Sequence, residues 1–271
     1  MSLDEVCLSK GELYTYLTNK NGRGKKGTLV SSTKGVKSQD IIKTIEKIPL
    51  EIRLKVKEVT LDMANNMNLV AKICFPNARI VTDRFHVVKL VVEALQHVRV
   101  QHRWAAIEDE NTAIETAKKE GEKHKPIVLS NGDTKKQLLA RSRFILMKKS
   151  KDWTENQKQR AELLFALYPS VLTAYKHTME FRSIFEEKSK TKVAQRFECW
   201  FKETDEMGFK NFNTAKNSIK HHFEPILNFF DNRNTNANAE SFNAKIKLFR
   251  ANLRGVRDVQ FSLFRLEKLF A

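Results

Sequence analysis

Cysteine is scarce in this chain of 271 residues: Cys7, Cys74 and Cys199 stand alone, with no CxxC pair among them. An odd set of isolated thiols argues against a disulfide framework and against a structural zinc site, and reduced thiols suit a cytoplasmic protein. Long apolar runs are also missing. The most apolar stretch, Val87 to Leu95, is interrupted by Lys89 and Glu93, and the first residues lack the basic-then-apolar order of a secretion signal. No membrane span or export signal is legible. Acids are in short supply: 32 Asp and Glu face 49 Lys and Arg, a net charge of +17. That imbalance favours a polyanionic partner, and nucleic acid before membrane, because no amphipathic segment is suited to a bilayer surface.

No internal repeat is evident, and a helix-backed phosphate cradle is lacking too. Gly22, Gly24 and Gly27 lie beside Lys25 and Lys26, but no helix opens directly behind them, so a basic hairpin loop is the better reading. What is present begins with short strands. Leu3 to Leu8, Leu13 to Thr18 and Thr28 to Ser32 read as three strands, the first two joined by the turn Ser9-Lys10-Gly11-Glu12. Ile41, Ile42, Ile45 and Ile48 mark one face of a helix over 38–48, stopped by Pro49. Val56 to Asp62 reads as a strand closing on a carboxylate, and Ala78 to Asp83 repeats the arrangement. A helical segment, Asn65 to Phe75, separates them, which is the crossover a parallel pair requires. The predicted order is β-β-β-α-β-α-β.

From Val87 to about Phe230 helical periodicity takes over, with Lys, Arg and Glu on the exposed faces. Thr154 and Gln157 form a capping-box start, Asn131-Gly132-Asp133 a turn between helices, and Glu115 to Lys125 a charged connector. Trp104, Trp153 and Trp200 read as anchors between helices, with base stacking as their functional alternative. A polar run over 231–238 precedes a helix capped by Asn236, with Phe242, Ile246, Phe249 and Leu253 on one face. Glu240 projects roughly opposite, alongside Ala244, Lys247, Ala251 and Arg254. The expected organisation is 1–86 as the first part of an α/β core, 87–230 as an all-helical insertion, and 231–271 as helices completing the core.

Asp62 and Asp83 would emerge at the carboxyl ends of neighbouring strands, where open α/β sheets bind ligands, and Asp4 lies in the first strand. Phosphodiester chemistry gains from two divalent ions held by hard oxygen ligands, and acids from separate elements can supply them. An aspartate at a strand end also serves as an ordinary turn or helix cap, and a glutamate in a first helical turn answers the helix dipole. His86, three residues after Asp83, has a plain reading as a hydrogen-bonded structural histidine. Lys148, Lys149, Lys151, Lys188, Lys190 and Lys192 form either a solvated face or a set of phosphate contacts.

Longer motifs add to this. Leu3-Asp4-Glu5, Val59-Thr60-Leu61-Asp62-Met63, Thr82-Asp83-Arg84-Phe85-His86-Val87 and Ala239-Glu240-Ser241-Phe242-Asn243-Ala244-Lys245-Ile246-Lys247 occur in that order across nearly the whole chain. Together they resemble the ISL-three family of bacterial insertion-sequence DDE transposases. The resemblance implies a ribonuclease-H-like mixed sheet with a large helical insertion before the last catalytic helix. It implies metal-dependent strand cleavage and transfer, with two Mg²⁺ or Mn²⁺ ions. The implied acids are Asp4, Asp62 and Glu240, with Asp83 as the alternative second acid and His86 at the site's edge. The implied partners are element ends and target DNA, with a homodimer assembling on DNA in a bacterial, nucleoid-associated setting; given the net charge, Lys188, Lys190, Lys192, Lys247 and Arg254 are the expected DNA contacts. Family members carry an N-terminal zinc-binding and helix-turn-helix region, and this chain starts three residues before Asp4. The expectation is a catalytic region from a truncated copy, with a non-catalytic DNA-binding remnant as the alternative.

Overall fold

A computed structural model describes residues 1–8, 11–233, 235–253 and 258–271. The chain divides into two compact units, Met1–Val87 with His221–Ala271, and Val88–Lys220.

In the first unit, β1 (Ser2–Cys7), β2 (Leu13–Thr18), β3 (Leu29–Lys34), β4 (Glu58–Leu61) and β5 (Arg79–Thr82) form a five-stranded mixed sheet in the order β3-β2-β1-β4-β5. The first three strands are antiparallel, while β4 lies parallel to β1 and β5 parallel to β4. The parallel pairings follow from the crossovers, α1 (Ser38–Ile45) and α2 (Leu50–Arg53) before β4 and α3 (Asn65–Cys74) before β5. The strands and longer helices thus keep the predicted order. Two differences are local. The first helix stops at Ile45 rather than Ile48, because the residue before Pro49 is disfavoured in helical backbone. Past Pro49, whose fixed φ suits a helix start, the short α2 forms and Arg53 ties it to α3 by donating to the Cys74 carbonyl at 3.0 Å.

Side chains alternate across the sheet, so each strand feeds two cores. Leu3, Leu17, Val59 and Leu61 pack with Ile41 and Ile45 of α1 and Met67, Val70 and Cys74 of α3. On the opposite face Val6, Tyr14, Tyr16 and Leu29 pack with Phe242, Ile246 and Leu266. Those three residues belong to α11 (Ala237–Asn252) and α12 (Val259–Phe270). Each such buried aliphatic or aromatic side chain contributes about 1.5–3 kcal/mol, so α11 is held firmly on the sheet. Between the two segments of this unit the chain runs through α4 (Arg84–Lys119), α5 (Lys135–Arg141), α6 (Glu155–Leu167), α7 (Pro169–Ile184), α8 (Lys190–Met207) and α9 (Lys210–His221). It returns as α10 (Phe223–Asn232), which packs against β5 and donates from Asn228 to the Ile80 carbonyl at 3.0 Å.

The second unit is helical. Phe181, Phe197, Trp200 and Phe212 form an aromatic core around His177, whose ring stacks on Trp200 at 4.6 Å and shares a 2.7 Å hydrogen bond with Thr204. The expected turn at Asn131-Gly132-Asp133 is present, with the buried Asp133 paired to Arg141 and Arg160. The Thr154–Gln157 box also forms, Thr154 N–H donating to Gln157 Oε1 at 3.3 Å. Glu115–Lys119, expected in a connector, instead continues α4, since Glu, Ala and Lys favour helix. Trp200 is an anchor as expected, but Trp104 is not: it is 64% exposed on α4. No helix among the described residues is long and apolar enough to cross a membrane.

Candidate functional site

The parallel register sets the site. Ser2 lies opposite Thr60, so two residues further along the same sheet face Asp4 of β1 comes beside Asp62, which follows β4 directly. That face carries Val6, and α11 packs on it. From α11, Asn243 donates Nδ2 to Asp4 Oδ2 at 2.6 Å, while the Glu5 amide donates to Asp4 Oδ1 at 2.9 Å. Asp62 Oδ1 accepts from the Ala64 amide at 2.9 Å, a local turn that orients its carboxylate.

Burial pushes the Asp4 carboxyl up to about 6; the Glu5 amide, Asn243 and His86 oppose the rise, and the Asp62 charge adds to it. Burial also raises the Glu5 carboxyl, against its hydrogen bond from Asn66, and Asp62 contributes again. Two histidines complete the electrostatic surroundings. His86, in the first turn of α4, acts on Asp4; His222, at the start of α10, acts on Asp62 and is held below the usual imidazole range by burial and by His221. The arrangement is a half-buried pair of acids that a cation would relieve.

Asp83 has a different environment. It is 2% exposed, and its two oxygens accept backbone N–H groups at 2.8 Å, Phe85 at the start of α4 and Asn236 at the start of α11. It thus caps one helix and clasps the loop that leads into another. Glu240 is exposed on α11, one turn before Asn243 and on the same side of the helix. Among the described residues no group of three His, Cys, Asp or Glu side chains is placed to share an ion. Asp4 and Asp62 are therefore the acids brought together, with Glu240 a helical turn from the residue that contacts Asp4. Lys247 is exposed one further turn along α11, and Arg254 lies outside the described residues. Lys188, Lys190 and Lys192 are exposed around the start of α8, which Ser189 caps.

Oxygen ligands on two strands suit a hard divalent ion. One further observation fits: Asn243 Oδ1, beside Asp4, is buried without a hydrogen-bond partner among the described residues. Asp4 and Asp62 could hold an ion, with the Asn243 oxygen as a neutral neighbour. Sequence reasoning places Asn243 only within a motif and does not single out His222. A period-4 reading from Glu240 puts Asn243 on its face, whereas nothing local marks His222.

The site is thus a pair of strand-borne acids on a mixed sheet in a strongly basic chain. A family model described as Transposase, that of the ISL3-type DDE transposases, matches residues 1–266, and the chain belongs to this family. It is 21% identical over its full length to the transposase for insertion sequence element IS1001 of Bordetella parapertussis, and it spans 60% of that relative's length. No solved structure matches the chain.

Proposed function

We propose that this chain is the catalytic region of an insertion-sequence transposase, cutting DNA strands and joining them to target DNA in a divalent-metal-dependent reaction. The observation that carries the reading is the Asp4–Asp62 pair, two acids on one face of adjacent parallel strands, with the Asp4 carboxyl pushed up to about 6. Support for a ribonuclease-H-like core comes from the sheet order β3-β2-β1-β4-β5, antiparallel in its first three strands and parallel in β1, β4 and β5. Helices cover both faces of that sheet.

In this reading Asp4, Asp62 and Glu240 are the three acids, and Asp4 and Asp62 would hold Mg²⁺ or Mn²⁺. When bound, such ions activate the attacking oxygen and stabilise the leaving one. Asn243 fixes the Asp4 carboxylate by its 2.6 Å hydrogen bond, leaving lone pairs of both oxygens available. Glu240, exposed on the same side of α11, is free to turn toward the acids when substrate docks. Asp83 is a holding residue, because backbone amides already engage both its oxygens. Lys247 would face the DNA backbone one turn beyond.

The test is cleavage of labelled element-end DNA by the intact chain, with and without Mg²⁺ or Mn²⁺, alongside Asp62→Asn. Metal-dependent nicking abolished by Asp62→Asn supports the proposal. Binding without nicking at any metal concentration would identify a non-catalytic DNA-binding remnant instead.

A further inference from the structure

At the end of the sheet where β1 and β4 begin, the first unit holds a cavity of about 680 Å³. Its walls come from Met1 and three further segments. Lys20 and Arg23 lie in the loop between β2 and β3, Lys55 and Lys57 precede β4, Arg233 ends α10 and Asn238 lies in the first turn of α11. Five cations thus converge on one space. The single acid in the lining, Glu58, lies 3.5 Å from Lys20. No ion pair is present at Arg23, Lys55 or Lys57 among the described residues, and all three are exposed.

Backbone conformation fixes how the two arginines are presented. Among the described residues only two outside glycine adopt positive φ, Arg23 at 48° and Arg233 at 53°, and both line this cavity. Each is the left-handed residue that ends a helical turn, Arg23 donating its amide to the Lys20 carbonyl and Arg233 to the Phe229 carbonyl, so the two helix ends present their arginines to the same space. The loop carrying Arg23 is also braced. A Cβ on Gly22 would meet Thr28 backbone atoms at 2.6–2.7 Å, and Lys245 of α11 donates to the Gly24 carbonyl at 2.8 Å.

The cavity joins the acids through β4. Lys20 Nζ hydrogen-bonds Thr60, whose side chain shares a face with Asp62 two residues on, roughly 7 Å along a strand. A space of this volume lies within the ~300–1,000 Å³ typical of small-molecule sites and is larger than a phosphate group alone would fill. Asn19, Asn21 and Asn238 line it as well; Asn19 Oδ1 accepts from the Asn21 amide and Asn238 Nδ2 donates to the Lys20 carbonyl, and their remaining amide donors and acceptors can pair with base edges. We propose that this cavity seats an unpaired nucleotide of a DNA strand, its phosphates on Arg23, Lys55 and Lys57, so that the strand runs on toward Asp4 and Asp62. The inference rests on the reading of the acids as a strand-cutting site, and adds that the strand is held outside the double helix.

The test is binding of a labelled single strand and of its duplex to the intact chain in EDTA, with Arg23→Gly, Lys55→Ala and Lys57→Ala combined. Single-strand affinity should fall at least tenfold, with the salt slope reduced by about 2 for three phosphates no longer neutralised, while duplex affinity changes less than about threefold. Equal losses for both DNAs would make the lysines and Arg23 an ordinary duplex-backbone surface and overturn the proposal; so would no loss. Arg23→Gly alone should keep or raise the melting temperature while weakening the single strand, because glycine relieves the left-handed backbone. A lower melting temperature with unchanged affinity would assign Arg23 to the loop's structure instead. Photocrosslinking of an iodouracil-bearing strand should label peptides over 19–23, 52–58 or 233–238, and labels confined elsewhere would also overturn it. Metal-dependent cleavage by the same preparation reads the acids separately, so failure of the cavity and failure of the catalytic reading are distinguishable.

Discussion

Asn243 and Asp4, 239 residues apart in sequence, meet through a 2.6 Å hydrogen bond from Nδ2 to Oδ2. Asn243→Ala should remove an interaction that favours the ionised Asp4 and raise that carboxyl above its present value of about 6. The acid limb of the cleavage pH profile should then move to higher pH, with single-strand binding in EDTA unchanged. Asn243→Asp should be worse, adding a third negative charge. An unmoved pH limb in Asn243→Ala would show that the hydrogen bond does not tune Asp4.

Asp4 itself is costly when charged and metal-free. Its folded value, about 6, lies above the ordinary 3.8, so its contribution to stability is fully present below about pH 4 and is lost as pH rises through 6. Asp4→Asn should therefore stabilise the metal-free chain at pH 8 by about 1–2 kcal/mol after allowance for solvent screening. The same change should abolish any rise in melting temperature on adding millimolar Mn²⁺, since that rise reports binding to the folded site. A destabilised Asp4→Asn would contradict the assigned burial cost.

Asp83→Ala separates holding from catalysis. Two buried backbone N–H groups, of Phe85 and Asn236, would lose a charged acceptor. The expected cost is about 2–4 kcal/mol in urea unfolding. The Mn²⁺-dependent rise in melting temperature should persist at temperatures where the variant is folded. Full stability with no metal response would move the second acid from Asp62 to Asp83.

In the helical unit, burial holds the His177 ring down to about 4, with Glu180 opposing. The unfolded chain binds this proton more readily, so stability should fall as pH drops from about 6.5 toward 4. Glu203, 3.6 Å from Nδ1, offsets part of the effect, leaving about 1–2 kcal/mol between pH 7 and 5. Thermal unfolding followed by the aromatic signal should show the decline, and His177→Gln should flatten it.

Lys188, Lys190 and Lys192 surround the start of α8 without an acidic residue in that first turn. Replacing all three by alanine should weaken duplex binding and reduce its salt slope by about 0.9 for each phosphate they neutralise. An unchanged slope would show that this cluster is a solvated face.

The sheet is legible in the sequence because its signals are local. Alternation marks β1, β2 and β4, Pro49 and Pro76 punctuate the crossovers, and Asp62 and Asp83 close their strands. Side by side, those two acids look alike in sequence. What separates them is Asn236, 153 residues from Asp83, whose amide occupies one Asp83 oxygen. The Lys20–Thr60 hydrogen bond and the cation-lined cavity are invisible for the same reason, since segments distant in sequence build them. Trp104 departs from expectation because a large aromatic is buried only where a partner helix covers it, and spacing along α4 does not report that.

The first unit is built from both ends of the chain, and this has a consequence during synthesis. Asp4 is synthesised about 240 residues before Glu240 and Asn243. At roughly 5–20 residues per second that is about 12–50 s. Throughout this interval the sheet face bearing Val6, Tyr14 and Tyr16 lacks Phe242 and Ile246, the side chains that cover it. A chain released early would carry both strand acids yet neither the α11 residues beside them nor the cover of its own core. Incomplete translation therefore leaves the apolar sheet face exposed, and the α11 residues join the acid pair last.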